Sequence, residues 1–261
     1  MISNKYTIVE FIGEGKFGEV YKGSFGKNQW VAIKIEKNPH VKLLKHETTI
    51  LNYLYRKKCF NIPFIYWYGI YNLYPTLVMT YYDTAFETLS LVHFAEIIDI
   101  LENIHKCGII HRDIKTSNFM LKNDKIHLID FGFSTFYVDA NFKPFPNEIT
   151  ENIIGTPPFV SINIHNGNTP SRRDDLISVG YIYLFLSYPL DLDDLTIIDK
   201  DYEPCSIKNA NHLKWRERKK WENLSKGLDT DSNIFKYLRE CYELTFDENP
   251  QYSHLRDLLV R

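Results

Sequence analysis

Apolar and polar positions alternate along residues 6–35. Tyr6-Thr7-Ile8-Val9-Glu10-Phe11 is rich in β-branched and aromatic side chains, and Glu19-Val20-Tyr21-Lys22-Gly23-Ser24 repeats with a period of two, so this stretch predicts strands. Over residues 41–56 the period becomes 3.6. Leu43, Leu44, Glu47, Ile50, Leu51 and Leu54 fall on one face and predict a helix. Leu77-Val78-Met79 predicts a short buried strand. Residues 91–107 predict a second helix, with Phe94, Ile97, Ile98, Leu101 and Ile104 inward, Ser90 as its cap and Gly108 at its end. Residues 125–129 predict a strand. Residues 133–160 have no period and contain Pro144, Pro146, Pro157 and Pro158; so long a stretch without an element is usually functional or mobile. Ser171-Arg172-Arg173-Asp174 fits a capping box. The helix after it, residues 175–187, is apolar nearly all round and predicts a buried position, with Pro189 as its stop. Asp231 or Ser232 caps a further helix to Leu244, and a short helix follows Pro250.

Composition narrows the class. The 261 residues are 44% hydrophobic, which supports a packed core and argues against disorder. A net charge of -2 gives no global attraction to nucleic acid or to an acidic membrane. The N-terminus has no signal-peptide pattern, and the apolar run at 182–190 is too short to span a bilayer. Cys59, Cys107, Cys205 and Cys241 are far apart and form no C-x-x-C, which disfavours zinc and dithiol chemistry and fits a reducing compartment. The basic run around Lys214–Trp221 reads first as a solvated helix face, with docking of acidic substrates as the alternative.

The candidate chemistry lies in four places. Gly13-Glu14-Gly15-Lys16-Phe17-Gly18 would let a backbone approach phosphates. A dinucleotide-binding turn would need a helix to open at the last glycine, and here a strand pattern follows. Val31-Ala32-Ile33-Lys34 then presents a candidate phosphate-binding lysine. Glu47 sits in the apolar face of its helix, where a lone carboxylate is costly, and Lys34 is the natural partner. His111-Arg112-Asp113-Ile114-Lys115-Thr116-Ser117-Asn118 precedes Asp130-Phe131-Gly132, with 17 residues from Asp113 to Asp130. One carboxylate to take a hydroxyl proton, a lysine to neutralise a moving phosphoryl group, and a carboxamide with a second carboxylate to hold magnesium are what phosphoryl transfer needs.

These motifs make the chain resemble the eukaryotic protein kinase domain over nearly its whole length. Ser161-Ile162-Asn163, Ser171-Arg172-Arg173-Asp174-Asp175-Leu176, Gly180-Tyr181 and Phe246-Asp247-Glu248-Asn249-Pro250 resemble the casein kinase 1 and vaccinia-related branch. The resemblance implies an α+β, two-lobed fold: an antiparallel β N-lobe with one helix (1–79), a linker (80–82) and a mainly α C-lobe (83–261), together one domain. It implies Asp113 as catalytic base, Lys115 supporting the transferred phosphate, Lys34 paired with Glu47, and Asn118 and Asp130 as magnesium ligands. ATP would be held by Ile12, Gly13, Glu14, Gly15, Lys16, Phe17, Gly18, Val20, Ala32, Lys34, Met79, Tyr82 and Met120. Lys115 points to serine or threonine as acceptor, and Asp175 would anchor the catalytic loop. The implied protein is a monomeric, cytoplasmic or nuclear serine/threonine kinase acting on protein substrates, active as made, without nucleic-acid or membrane partners. A catalytically silent ATP-binding scaffold is the alternative, and a small-molecule or lipid kinase a third reading. The Arg that casein kinase 1 uses on pre-phosphorylated substrates is absent, because Gly155-Thr156 is followed by Pro157-Pro158.

Overall fold

The computed structural model describes residues 1–15, 18–27, 29–38, 42–85, 90–187, 213, 216 and 218–260. The expected roles of Lys16 and Phe17, the stop at Pro189, and Lys214, Trp215 and Glu217 of the basic run lie outside these residues. By its own contacts the chain forms two compact units, Met1–Ala85 with Phe119–Phe133, and Phe86–Asn118 with Ser134–Arg261. The line drawn on sequence at 80–82 differs in leaving residues 83–85 and 119–133 with the C-terminal part.

The first unit is built on an antiparallel sheet ordered β1-β2-β3-β5-β4. Its strands are β1 (Tyr6–Gly15), β2 (Gly18–Phe25), β3 (Gln29–Ile35), β4 (Ile65–Tyr71) and β5 (Tyr74–Thr80). The two-residue period of β3 sorts its side chains. Val31, Ile33 and Ile35 join Ile2, Tyr6 and Val78 in one apolar cluster, and Ala32 joins Leu44, Leu77 and Met79 in another. Helix α1 (Leu43–Arg56) buries Leu44, Glu47, Thr48, Ile50, Leu51 and Leu54. Its first free N–H groups are not met by Lys42. They are met by the carboxylate of Glu36, which accepts from Leu43 N at 2.8 Å and Leu44 N at 3.2 Å. The strands β6 (Thr84–Ala85), β8 (Phe119–Lys122) and β9 (Lys125–Leu128) form a smaller antiparallel sheet in the same unit.

The second unit is mainly helical. Its elements are α2 (Leu91–Lys106), the strand pair β7 (Ile109–Ile110) and β10 (Thr135–Phe136), α3 (Ile162–His165), α4 (Arg172–Ser187), α5 (Trp221–Leu224), α6 (Asn233–Glu243) and α7 (Tyr252–Val260). Helix α4 packs on α2 and α6, and α2 packs on α7. The expected burial of α4 holds, down to its charged residues Asp174 and Asp175. It starts at Arg172, three residues earlier than its apolar pattern indicates. Only the returning half of the expected capping box forms: Asp174 Oδ2 accepts from Ser171 N at 2.7 Å, while the buried Ser171 hydroxyl makes no hydrogen bond among the described residues. Ser232 caps α6 through its hydroxyl, which accepts from Phe235 N at 3.3 Å. Between β10 and α3 the chain forms no further helix or named strand. Among the described residues no helix is long and apolar enough to cross a membrane.

Candidate active site

In the first unit the register of β3 puts Lys34 on the same face as Ala32, the face against which Leu44 of α1 packs. Glu47 lies one turn beyond Leu44 and therefore meets the lysine. Lys34 Nζ donates to Glu47 Oε1 at 2.8 Å and Oε2 at 3.0 Å, and to Asp130 Oδ1 at 3.1 Å. Burial works against the lysine's charge, but the carboxylates of Asp130 and Glu47 outweigh it and raise its pKa, so it stays an ammonium ion. Burial, helped by the nearby Asp130, pushes the Glu47 carboxyl up while Lys34 pulls it back. At this spacing the pair attracts by about 5 kcal/mol with an effective dielectric of ~20. Desolvation costs several kcal/mol per ion, so the pair positions charge more than it stabilises the fold. Asp130 has φ 65° and its side chain is 42% exposed. A non-glycine residue held there costs roughly 1–3 kcal/mol, as often found where a side chain is aimed for function.

The residues expected around a nucleotide, where described, also lie in this unit. The β1–β2 hairpin pairs Gly13 with Val20 and Gly15 with Gly18. Gly18 has φ 153°, and a Cβ there would sit 2.0 Å from the Ile35 carbonyl oxygen, so the hairpin's approach to β3 requires glycine. Ile12 and Glu14 are exposed on β1. Ala32 pairs with Met79 across β3 and β5, and both are buried. Tyr82 is buried after β5 with its ring 4.8 Å from that of His127. Met120 is half-buried on β8, paired with His127.

In the second unit the loop after β7 is fastened from below by Asp175 of α4. One oxygen accepts from His111 N at 2.8 Å and from His105 Nε2 at 2.9 Å, and the other from Arg112 N at 2.9 Å. Burial would raise the Asp175 pKa, yet the His105 and His111 donors outweigh it and lower it. His105 is itself held by Tyr252 of α7, with Nδ1 2.8 Å from the phenol oxygen. Arg112 has φ 70°, the second strained non-glycine residue in a motif. This frame presents Asp113, whose side chain is 3% exposed. Its Oδ2 lies 2.8 Å from Lys115 Nζ, and its Oδ1 accepts from the Thr156 hydroxyl at 2.7 Å. Lys115 Nζ also donates to that hydroxyl at 3.3 Å. Asn118 Nδ2 donates to the Asp113 carbonyl at 2.8 Å and to Oδ2 at 3.2 Å.

A lysine caged by carboxylates in one unit and a buried, lysine-paired aspartate in the other meet a direct comparison: the profile of the protein kinase domain matches residues 6–241. The chain belongs to the protein kinase family. Its antiparallel first unit and helical second unit are the α+β kinase fold. Kinases of this family are phosphotransferases, and their chemistry uses ATP and magnesium. Each unit carries donors of the kind such a ligand takes. Lys34 is shared by two carboxylates, which leaves surplus negative charge on the half-exposed Asp130 for a hard cation. Asn118 commits its amide nitrogen to Asp113 and leaves its oxygen for other partners. Among the described residues no group of three or more His, Cys, Asp or Glu could hold a metal. Magnesium in kinases is held by one or two side chains plus phosphate oxygens.

Sequence reasoning placed Thr156 in a motif under the substrate but missed its tie to Asp113, and it overlooked Glu36 and the burial of Lys219. Thr156 lies 43 residues from Asp113 and enters its hydrogen-bond set only through the chain's return. Glu36 caps α1 from the end of β3. Lys219, inside a run that reads as solvated, is 3% exposed.

Proposed function

We propose that the chain is an ATP-dependent serine/threonine protein kinase of the casein kinase 1-like branch. The observation that carries this reading is the Thr156 hydroxyl held at once by Asp113 and Lys115. An aliphatic hydroxyl on these two groups supports a serine or threonine acceptor: the carboxylate would take its proton, and the ammonium would offset charge on its oxygen. In this reading Asp113 orients the acceptor hydroxyl and receives its proton, and Lys115 neutralises the phosphoryl group in transit. Lys34, kept charged and aimed by Glu47, holds phosphate oxygens, and the β1–β2 hairpin covers them. Val20, Ala32, Met79, Tyr82 and Met120 receive the adenine. Asp130 and Asn118 would each offer an oxygen to magnesium, which when bound neutralises phosphate charge.

The branch assignment gains support from wiring among its marker segments. Ser161 Oγ and Asn163 Nδ2 both donate to Asp174 Oδ1, at 2.5 Å and 3.2 Å. Arg172 reaches Asn249 Oδ1 at 3.0 Å and the Asp247 carbonyl at 2.6 Å. Three of the four marker segments are thus joined by side-chain hydrogen bonds. The test is transfer of labelled phosphate from ATP to casein, followed by phosphoamino-acid analysis, with Asp113→Asn as control. Label on serine or threonine that vanishes with the variant is the expected result. Label on tyrosine, or none with wild type, defeats the reading.

A further inference from the structure

Lys219 is a buried lysine that phosphoryl transfer does not call on. Its Nζ donates to the carbonyls of Pro157 at 2.7 Å and Val160 at 2.5 Å, and lies 3.3 Å from His165 Nε2. The ring of Tyr181 on α4 lies beneath it, 4.5 Å from Nζ to centroid. Its own carbonyl accepts from the Tyr242 hydroxyl at 3.0 Å, and Tyr242 and Tyr181 are hydrogen-bonded to each other. The lysine is therefore fixed at both ends before it reaches the chain it serves.

That chain is the turn carrying Thr156. Phe159 N and Val160 N both donate to the Thr156 carbonyl, at 2.9 Å and 3.1 Å. The Pro157 and Val160 carbonyls are taken up by Lys219. Just before the turn, Gly155 has φ 109° and leaves no room for a Cβ, which would meet the Arg112 carbonyl oxygen and Val160 Cγ1 at 2.6 Å each. Thr156 is thus held on its N-terminal side by contact with the Arg112 main chain and on its C-terminal side by the lysine. An acceptor hydroxyl must be placed to within a fraction of an ångström for transfer, and effects of small misplacement reach a hundredfold.

We propose that Lys219 is a positioning residue for the phosphoacceptor side of the reaction, locking the 156–160 turn so that Thr156 stays on Asp113 and Lys115. The proposal rests on the kinase reading above. Lys219→Met keeps the length of the side chain and removes its donors. With casein as acceptor, kcat should fall at least about tenfold, while the KM for ATP stays within twofold. Because the lysine acts through Thr156, the same change in a Thr156→Val background should cost less than twofold. Amide exchange at Phe159 and Val160, followed by mass spectrometry, should quicken in Lys219→Met whatever the activity. Equal losses in both backgrounds, an unchanged kcat, or unchanged exchange would overturn the proposal. If Lys219→Met does not fold, Lys219→Gln, which keeps two N–H donors on a shorter stem, replaces it. A reduced kcat with faster exchange then supports the clamp, and wild-type values for both refute it. A wild type that transfers no phosphate defeats the kinase reading, and the exchange measurement still decides the clamp.

Discussion

Each unit encloses a lysine, Lys34 largely and Lys219 almost wholly, and the two are built in opposite ways. Lys34 faces two carboxylates, and their fields raise its pKa despite burial. Lys219 donates to two peptide carbonyls beside an imidazole and a phenol ring, and burial pulls its pKa well down. The difference lies in the acceptors. Carboxylates compensate the ammonium charge in full and can share it with an incoming anion. Carbonyls offer dipoles only, so the charge remains expensive while the hydrogen bonds remain directional. The first arrangement suits a lysine that must act on phosphate, the second one that must hold main chain in place.

The largest expected effect tests the first half of that contrast. Lys34→Met should lower phosphate transfer by about a thousandfold, ~4 kcal/mol of barrier; turnover near wild type would remove Lys34 from the chemistry. The same variant leaves Glu47 buried beside Asp130 without its ammonium partner, at a cost to stability of about 3–5 kcal/mol. Its pKa is then raised further above the unfolded value, so the folded state binds the proton more tightly. The deficit should therefore shrink as the pH falls through the folded Glu47 pKa, as urea titrations across the acid range would show. Glu47→Gln separates charge from geometry, since the amide oxygen can still accept from Lys34. Its kcat should fall about tenfold, ~1.4 kcal/mol, and a loss as deep as that of Lys34→Met would mean the carboxylate does more than aim the lysine.

The second half of the contrast can be tested through alkaline stability. A raised lysine pKa stabilises below the unfolded value and loses that contribution as the pH rises through the folded one. A depressed pKa does the reverse: stability grows as the pH climbs from the folded value to the ordinary ~10.4. Wild type should therefore gain on Lys219→Met over that window, at up to about 1.4 kcal/mol per pH unit. Parallel stability curves for the two proteins would show that Lys219 carries no burial penalty. The smallest effect is expected at Thr150, in the same segment as Thr156 but outside the clamp. Among the described residues its hydroxyl accepts only a local bond, from Asn152 N at 3.1 Å. Phosphatase-treated Thr150→Ala should keep its rate within about twofold, ~0.4 kcal/mol; a tenfold fall would make loop phosphorylation a requirement.

What could be read from the chain follows the range of the interactions. The helix containing Glu47 declares itself through periodicity, because side chains three or four residues apart share a face, and the buried α4 through an apolar run that follows a capping signal. Lys34, Asp113 and Asp130 declare themselves through spacing within short motifs. The cap of α1 does not, because its carboxylate comes from Glu36, outside the helix. Thr156 meets Asp113 across 43 residues and Lys219 meets Pro157 across 62. No local pattern encodes such pairs. A lysine among lysines and arginines reads as solvated until the fold shows which one is turned inward. Ser171 misled for a related reason: its capping-box spacing is right, but only the Asp174 half is used.

Gly155 carries no functional group, yet it stands where two segments far apart in sequence come closer than any side chain permits. A single added methyl group would have to push both the Arg112 carbonyl and Val160 aside, and Arg112 is the residue before Asp113. In a survey of tolerated substitutions this position should therefore behave like the reactive residues while contributing no reactivity. Damage there would travel as displacement: the same one-carbon wedge would shift the aspartate from one side and the threonine from the other. Inheritance of a working enzyme depends here on an empty space being kept empty.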